Sequence, residues 1–396
     1  MVLYLGAAGA IYQVYTARIP SGNDFYSRWF GARTLLLEGR NPYSAEVTRD
    51  IQLGMYGRLA RPDEDQVAFA YPLYVALLIA PLVGFPYPQA QALWSAALLF
   101  TTVASVLLSL SWVGWRPSRL GSILLVLWAL FLYPIARSLI LGQFSLLVLA
   151  LLVTALWAFR TQREGWAGIA LAGATLKPQM VFLLIPLLLA WAVGTRRWRV
   201  ILGFLGAITV LIALPWLWLP GWPVPFLAGL PEYQRYSGAY TGSLSPLALT
   251  LAPLPSELQG PLVFLLGLAL LGATLWAWYR LWRDKAVDLY WPLGLAILAT
   301  LLVPMQSGTT NQVLLLLPLL SVFHEWNRRG TASSDLTSRV LRKGRGWLPV
   351  VALFLLLAPW ALFLATVKGD AEQAIMFLPL PWLTLVLAIL SRPGGQ

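Results

Sequence analysis

No cysteine occurs in the 396 residues, so disulfides, thiol nucleophiles and thiolate metal sites are excluded together. Histidine is almost absent too. The single one, His324, leaves no room for a His-rich metal site, and a Ser-His-Asp arrangement would have to use it. Beside Glu325 and ahead of Arg328 and Arg329, it reads as an interfacial residue at a helix end. Charge is scarce: Asp, Glu, Lys and Arg make up 11% of the chain, where a soluble domain carries about a quarter. Internal repeats and low-complexity linkers are missing, so one integral domain over residues 1–396 is the simplest organisation. Catalysis here must rest on carboxylates, Arg, Lys, Tyr and amides. No visible residue set demands a metal, a nucleotide or any other cofactor.

What is present is oil. Hydrophobic residues reach 59%, with 20 Trp and 28 Pro, the composition of a membrane protein. The net charge of +12 does not indicate nucleic acid, because the basic residues flank apolar runs instead of forming one stripe. Apolar stretches recur at 2–17, 68–84, 89–112, 120–140, 143–159, 166–194, 200–219, 259–280, 289–304, 311–324, 347–367 and 374–391. Only helices carry an open chain across lipid with every backbone polar group bonded. The expected fold is therefore an all-α polytopic membrane bundle of roughly eleven to thirteen spans, residues 2–17 being read as a retained first span.

Basic loops give the orientation. Arg196, Arg197 and Arg199 flank one turn and Arg280, Arg283 and Lys285 another, while Arg328, Arg329, Arg339, Arg342, Lys343 and Arg345 crowd a third. With these on the cytoplasmic side, 18–66, 220–258, 305–310 and 368–373 fall outside. Strict alternation also puts Arg116, Arg119, Arg160 and Arg163 outside, against the rule. A re-entrant or half-length segment between 68 and 143 would remove that conflict.

The outer segment 18–66 is a charged island with 7 of the 16 acidic residues and 7 arginines. Phe25, Trp29, Ala32 and Leu36 repeat at helical spacing up to Gly39, and Val47, Ile51, Met55 and Leu59 do the same. Both are expected as amphipathic helices along the membrane surface, apolar faces down. Asp24 opens the first of them. Two readings stand for it: an N-terminal cap worth about 1 kcal/mol, or a general base at the bilayer face. Arg28, one turn on, is its nearest cation.

Other polar residues stand inside oily runs. Lys177 lies in 165–190 with no acid nearby in sequence, and a charge at that depth costs about 2.5–3.5 kcal/mol. Pro178 breaks the helix there, and with Gln179 the break would form an anion-binding cup; a lysine snorkelling to the interface is the other reading. Arg137 and Gln143 occupy a second proline-broken run, where the arginine would grip a phosphate in bidentate fashion or line a structural turn. Trp222, Phe226, Tyr233, Tyr236 and Tyr240, with Glu232 and Arg235, read first as an interfacial aromatic belt and second as cover for a sugar ring. Residues 304–312, with Gln306 and Asn311, make a polar break at the outer face. A carboxylate, buried cations and amide-rich breaks suit an anionic lipid-linked substrate better than a simple ion.

The ordered strings Asp24-Phe25-Tyr26, Gly39, Asn41-Pro42-Tyr43, Phe69-x-Tyr71-Pro72-Leu73, Pro81-Leu82, Gly142-Gln143, Ala167-Gly168 and Leu176-Lys177-Pro178-Gln179 resemble the bacterial polyprenol-phosphate-mannose-dependent glycosyltransferases of the GT-C superfamily. The resemblance covers roughly residues 20–190, about half the chain. It implies a GT-C-type bundle in the cell membrane, its active site open to the extracytoplasmic face. The donor would be a sugar on a polyprenyl phosphate, by resemblance mannose, and transfer to a lipid-linked or glycan acceptor of the cell envelope would invert the anomeric carbon. The family's first-loop aspartate maps onto Asp24 as base; Tyr71, Gln143, Lys177 and Gln179 inherit binding roles. Relatives often carry a His or a Tyr-Asp pair before a late span, where this chain has Gln306 and Thr309–Gln312. A second acid often follows in the first loop, for which Asp63, Glu64 and Asp65 are available. The alternatives are a flippase or transporter of lipid-linked sugars, and a glycan ligase or polymerase using a diphosphate carrier.

Overall fold

A computed structural model describes residues 1–19, 23–62, 64–241, 245–284, 288–304, 308–329, 336–368 and 372–391. Asp63, Lys285 and Gln306 lie outside the described residues, as do the side chains of Tyr236, Tyr240, Arg329, Arg339, Arg342, Lys343 and Arg345. The described residues form helices and connecting turns, with no strand among them. The protein is an all-α polytopic membrane protein.

Helix α1 (Val2–Ile11) continues through one wide turn, Tyr12–Thr16. It leans on the later helix at residues 87–113, where Tyr4 donates to the Leu93 carbonyl at 2.9 Å and Thr16 to the Pro88 carbonyl at 2.7 Å. The two loop helices form close to where their periodicity predicts. Asn23 caps α2 (Asp24–Glu38) by accepting from the Phe25 N–H at 3.0 Å, and Gly39 at φ 68° ends it. Ser44 caps α3 (Ala45–Tyr56), and Gly57, also at φ 68°, ends it, so Leu59 falls beyond the helix instead of on its apolar stripe. The expected membrane-surface placement of α2 is not what the structure has. Phe25, Trp29, Ala32 and Leu35 are buried inside the protein, and the Phe25 ring stacks on Trp94 at 4.9 Å. The loop is folded into the bundle.

The 68–84 stretch is half-length. Its helix α4 (Tyr74–Ile79) and the tight turn Ala80–Leu82 stay beside α2, with Trp29 donating to the Leu82 carbonyl at 3.1 Å and Arg33 to the Val83 carbonyl at 2.5 Å. Helix α5 (Tyr87–Val113) starts there too, the Tyr87 hydroxyl donating to Asn23 Oδ1 at 2.8 Å. Its 27 residues carry the chain about 40 Å away. The return is α6 (Arg119–Phe131) and α7 (Tyr133–Leu141), bent by 63° at Leu132, because Pro134 in the first turn of α7 lacks the N–H that would continue α6. Helix α8 (Ser145–Arg160) runs out again until Arg160 donates to the Trp112 carbonyl at the far end of α5.

Helices α9 (Glu164–Ala174), α10 (Leu184–Gly194) and α11 (Trp198–Ala213) follow. A Cβ on Gly168 would sit 2.1 Å from the Val200 carbonyl oxygen, and one on Gly203 2.4 Å from that of Gly165. Such small-residue seams let membrane helices pack backbone to backbone. The chain continues through α12 (Pro223–Thr241), α13 (Pro246–Leu251), α14 (Ser256–Arg283), α15 (Tyr290–Leu302), the turn Thr309–Leu315, α16 (Leu316–Arg329), α17 (Leu336–Thr366) and α18 (Pro379–Leu390).

Where the sequence predicts roughly eleven to thirteen spans, among the described residues four single helices are long and apolar enough by themselves, and the bent α6–α7 pair makes a fifth. Other apolar stretches are carried as shorter helices, among them α8, α10 and α15. The alternation conflict disappears. Arg197 pairs with Glu164 at 3.5 Å, Arg160 reaches Trp112, and the Tyr290 hydroxyl donates to the same Trp112 carbonyl at 3.3 Å, within electrostatic range of Arg160 and Arg328. The arginines at 116–119, 160–163, 196–199, 280–283 and 328 therefore collect at one end, because the 68–84 stretch does not traverse the bundle. His324 lies there as well, 5.9 Å from the Trp115 ring.

Candidate active site

At the opposite end three chain segments, far apart in sequence, meet through side chains. Asn23, not Asp24, caps α2. It also accepts from Tyr87 and donates through Nδ2 to the Ile140 carbonyl at 2.8 Å, which fastens the loop to α5 and to the end of α7. The Asp24 carboxylate, one residue later, is left free of capping. Its Oδ2 instead accepts from Gln143 Nε2. Gln143 Oε1 accepts in turn from Lys177 Nζ at 3.1 Å, and Lys177 also donates to Ser145 Oγ at 2.7 Å. An acid, an amide and an ammonium thus form one continuous chain. The amide's orientation follows from its neighbours, since its donor faces the carboxylate and its acceptor the ammonium.

Local structure explains the precision. Gly142 ends α7 at φ 67°, and a Cβ there would lie 2.8 Å from that of Phe25, so this turn needs glycine for both conformation and room. Trp94 holds the turn by donating to the Gly142 carbonyl at 2.9 Å. Lys177 lies outside the helical region ahead of Pro178, at φ −132° and ψ 79°, in line with the bias proline places on the residue before it. The turn leading to it is pinned by Tyr74, whose hydroxyl donates to the Thr175 carbonyl at 2.8 Å. Lys177, Gln143 and Arg28 are each more than nine-tenths buried, and charge so placed persists only with partners like these.

Arg28 donates to the Asp24 carbonyl and to Ser27 Oγ, the latter at 2.9 Å, and lies 4.8 Å from the centre of the buried Tyr71 ring. The opposite charges nearby hold its guanidinium above the usual range despite burial. Asp65 belongs to the same environment: burial, then the charge of Asp24, pushes its carboxyl above the ordinary carboxylate range, against the Val67 N–H and Arg28. It is set there by Val67 at φ 40°, a conformation unusual for a β-branched residue, and by Tyr56, which donates to the Asp65 carbonyl at 2.8 Å. Glu64 has another job. It pairs with Arg58 at 2.5 Å, which, with the Arg61 N–H, brings its carboxyl down to about 2. Tyr233 of α12 lies within electrostatic range of Asp65 and Arg28.

Of the residues singled out from sequence, Asp24, Arg28, Tyr71, Gln143 and Lys177 come together. Gln179 does not: it is exposed on the tight turn Pro178–Met180. Arg137 and Asn311 belong to a second polar cluster, where Glu372 accepts from Tyr133 and Thr309, each at 2.7 Å. Burial raises the Glu372 carboxyl above its ordinary range, the two donors and Arg137 opposing. Trp222 is buried, 6.1 Å from the Tyr74 ring, so the belt reading fails for it. Asn23, Ser145 and Glu372 escaped sequence reasoning. Only Asn23, a favoured cap type directly before a periodic helix, carried a signal that could have found it.

Compared with models of known protein families, residues 69–304 match the one described as glycosyltransferase family 87. No curated protein matches, and no solved structure does. Tyr71, Arg137, Gln143 and Lys177 lie inside the matched range; Asp24, Arg28 and Asn311 lie outside it.

Proposed function

The chain belongs to glycosyltransferase family 87, and from that premise we propose that it moves a sugar, by resemblance mannose, from a polyprenyl-phosphate donor to a glycan or glycolipid acceptor at the extracytoplasmic face, with Asp24 as general base. The observation that carries this reading is the Asp24–Gln143–Lys177 chain, which holds a base and a cation in one buried polar environment. Asp24 Oδ1 has no hydrogen bond among the described residues and is free to take a hydroxyl proton.

The chemistry is a displacement at the anomeric carbon. The acceptor oxygen forms the new bond to C1 as its proton passes to Asp24. The C1–O bond to the phosphate breaks with its electron pair, so the polyprenyl phosphate leaves carrying the added negative charge. Attack opposite the leaving group inverts the anomeric centre. The Lys177 ammonium, with one proton beyond those bonded to Gln143 and Ser145, and Arg28 within electrostatic range of it are placed to stabilise the growing phosphate charge. Phosphate is a good leaving group, so no general acid is required. The base is worth about 10²–10⁴ in rate, or roughly 3–5 kcal/mol of barrier.

The outer-face assignment has its own support. The cluster lies at the end of α5 and α8 opposite the arginines, and arginine-rich ends are retained in the cytoplasm. The test is turnover of polyprenyl-phospho-mannose by purified protein in detergent, where transport has no meaning. Asp24→Asn is expected to abolish transfer while donor binding persists. Unchanged turnover in that variant would refute the base, and a preference for diphosphate donors would point to a ligase.

A further inference from the structure

The second polar cluster is not used by this mechanism, yet it has the features of a binding site. Tyr133 and Arg137, one turn apart on α7, face the turn Thr309–Leu315, and Ser138, the residue after Arg137, donates to the Thr310 carbonyl at 3.4 Å. Glu372 arrives from the segment after α17 and accepts from Tyr133 and Thr309. Among the described residues, three buried polar atoms on α7 and this turn have no hydrogen-bond partner: Arg137 Nε, Asn311 Oδ1 and Gln312 Oε1. Asn311 is 92% buried, being 8% exposed, and an unmade bond at such depth costs free energy that a ligand can recover. Arg137 makes no ion pair with Glu372 within 4.0 Å among the described residues, although Glu372 feels the charge of Arg137. Its guanidinium lies 5.4 Å from the centre of the Phe363 ring, which packs with Tyr133 at 5.5 Å and Trp360 at 6.5 Å.

We propose that Tyr133, Arg137, Asn311 and Glu372, walled by Phe363 and Trp360, form a saccharide-binding subsite that holds the sugar already present on the acceptor. The inference rests on the glycosyltransferase reading and goes beyond it. Unpartnered carbonyl oxygens need donors, which sugar hydroxyls supply. A guanidinium supplies donors to hydroxyl and ring oxygens, and aromatic faces cover the apolar side of a sugar ring. An inorganic or lipid phosphate fits worse, because it would bring a second anion beside Glu372.

The proposal is tested on purified full-length protein with octyl α-mannopyranoside as probe, by saturation-transfer NMR and by kinetics with polyprenyl-phospho-mannose as donor. Phe363→Leu and Arg137→Gln are each expected to weaken probe binding and raise the probe's KM about tenfold, the scale of a lost ring contact in the first and of one or two lost hydrogen bonds in the second. The kcat and the KM for donor should stay within twofold. Asn311→Ala, which removes the unpartnered oxygen together with the rest of its amide, serves as a further variant should either of the others fail to fold. Asp24→Asn is expected to bind the probe normally while losing turnover. If Asp24→Asn turns over normally but Arg137→Gln loses the probe, the base assignment falls and the subsite stands. An unchanged probe affinity in all three cluster variants, a rise confined to the donor KM, or displacement of the probe by inorganic phosphate would overturn the subsite.

Discussion

Helix α8 has Ser145 at one end and Arg160 at the other, and the two ends treat cations in opposite ways. Near Ser145, Lys177 and Arg28 are buried and bonded to an amide, two hydroxyls and a carbonyl, with Asp24 completing the chain. Near Arg160 the arginines lean on aromatic rings: Arg163 on Trp157 at 5.2 Å, Arg197 on Trp191 at 4.7 Å, Arg280 on Trp276 at 5.5 Å. A cation over an exposed ring is worth about 0.5–1 kcal/mol, and the acids nearby, Glu164 at 3.5 Å from Arg197 and Asp284 at 4.0 Å from Arg280, make simple ion pairs. The difference teaches that number of charges says little about chemistry. What marks the reactive end is that its charges are taken out of water and connected by oriented groups.

That contrast can be broken most severely at the acid. Asp24→Asn is expected to lower kcat by about 10²–10⁴, measured as sugar transferred from a polyprenyl-phosphate donor, with no change in the amount of inserted protein. Next comes Lys177→Met, which keeps the length and removes the charge. A loss of about 10²–10³ in kcat is expected, and Lys177→Arg should fail to restore it because the guanidinium cannot reproduce both bonds to Gln143 and Ser145. An active Lys177→Met enzyme would move the phosphate clamp elsewhere.

A smaller effect is expected from Gly142→Ala, where the positive φ and the 2.8 Å approach to Phe25 act together. The cost is about 1–3 kcal/mol of stability, read as a lowered thermal midpoint, with activity falling as Gln143 is displaced. Asp65→Asn tests the electrostatics. The folded protein holds the Asp65 proton more tightly than the unfolded chain does. Stability contributed by the neutral form is therefore present at low pH and lost as pH rises through the unfolded and then the folded value. The variant should raise the thermal midpoint at pH 7 and leave it unchanged at pH 3; the reverse pattern would show a carboxylate stabilised by Arg28 instead. The smallest effect belongs to the other end: Arg163→Gln should leave kcat within twofold, and a larger drop would mean that the two ends are coupled.

The helical class, both loop helices and the break at Lys177-Pro178 were legible because periodicity, caps and prolines act over a few residues. The meeting of Asp24 with Gln143, 119 residues apart, leaves no periodic trace, and Gln143 was reached through a motif. The alternation conflict asked for a re-entrant or half-length segment between 68 and 143, but that it is 68–84 was hidden for a related reason. Its composition is that of a span, and only the contacts of Trp29 and Arg33 show that it returns to the same end. Of three adjacent acids, burial singles out Asp65 and pairing with Arg58 removes Glu64, neither of which spacing could say. Glu372 and Tyr133 are 239 residues apart, beyond any local signal.

One consequence follows from how Gln143 is wedged. It is a bipolar connector, negative pole toward the ammonium and positive pole toward the carboxylate. Glutamate in its place would set two anions face to face, a basic residue two cations, and asparagine would fall short by a methylene. Position 143 therefore admits almost no substitute, and the spacing between base and cation is written into the length of a single uncharged side chain.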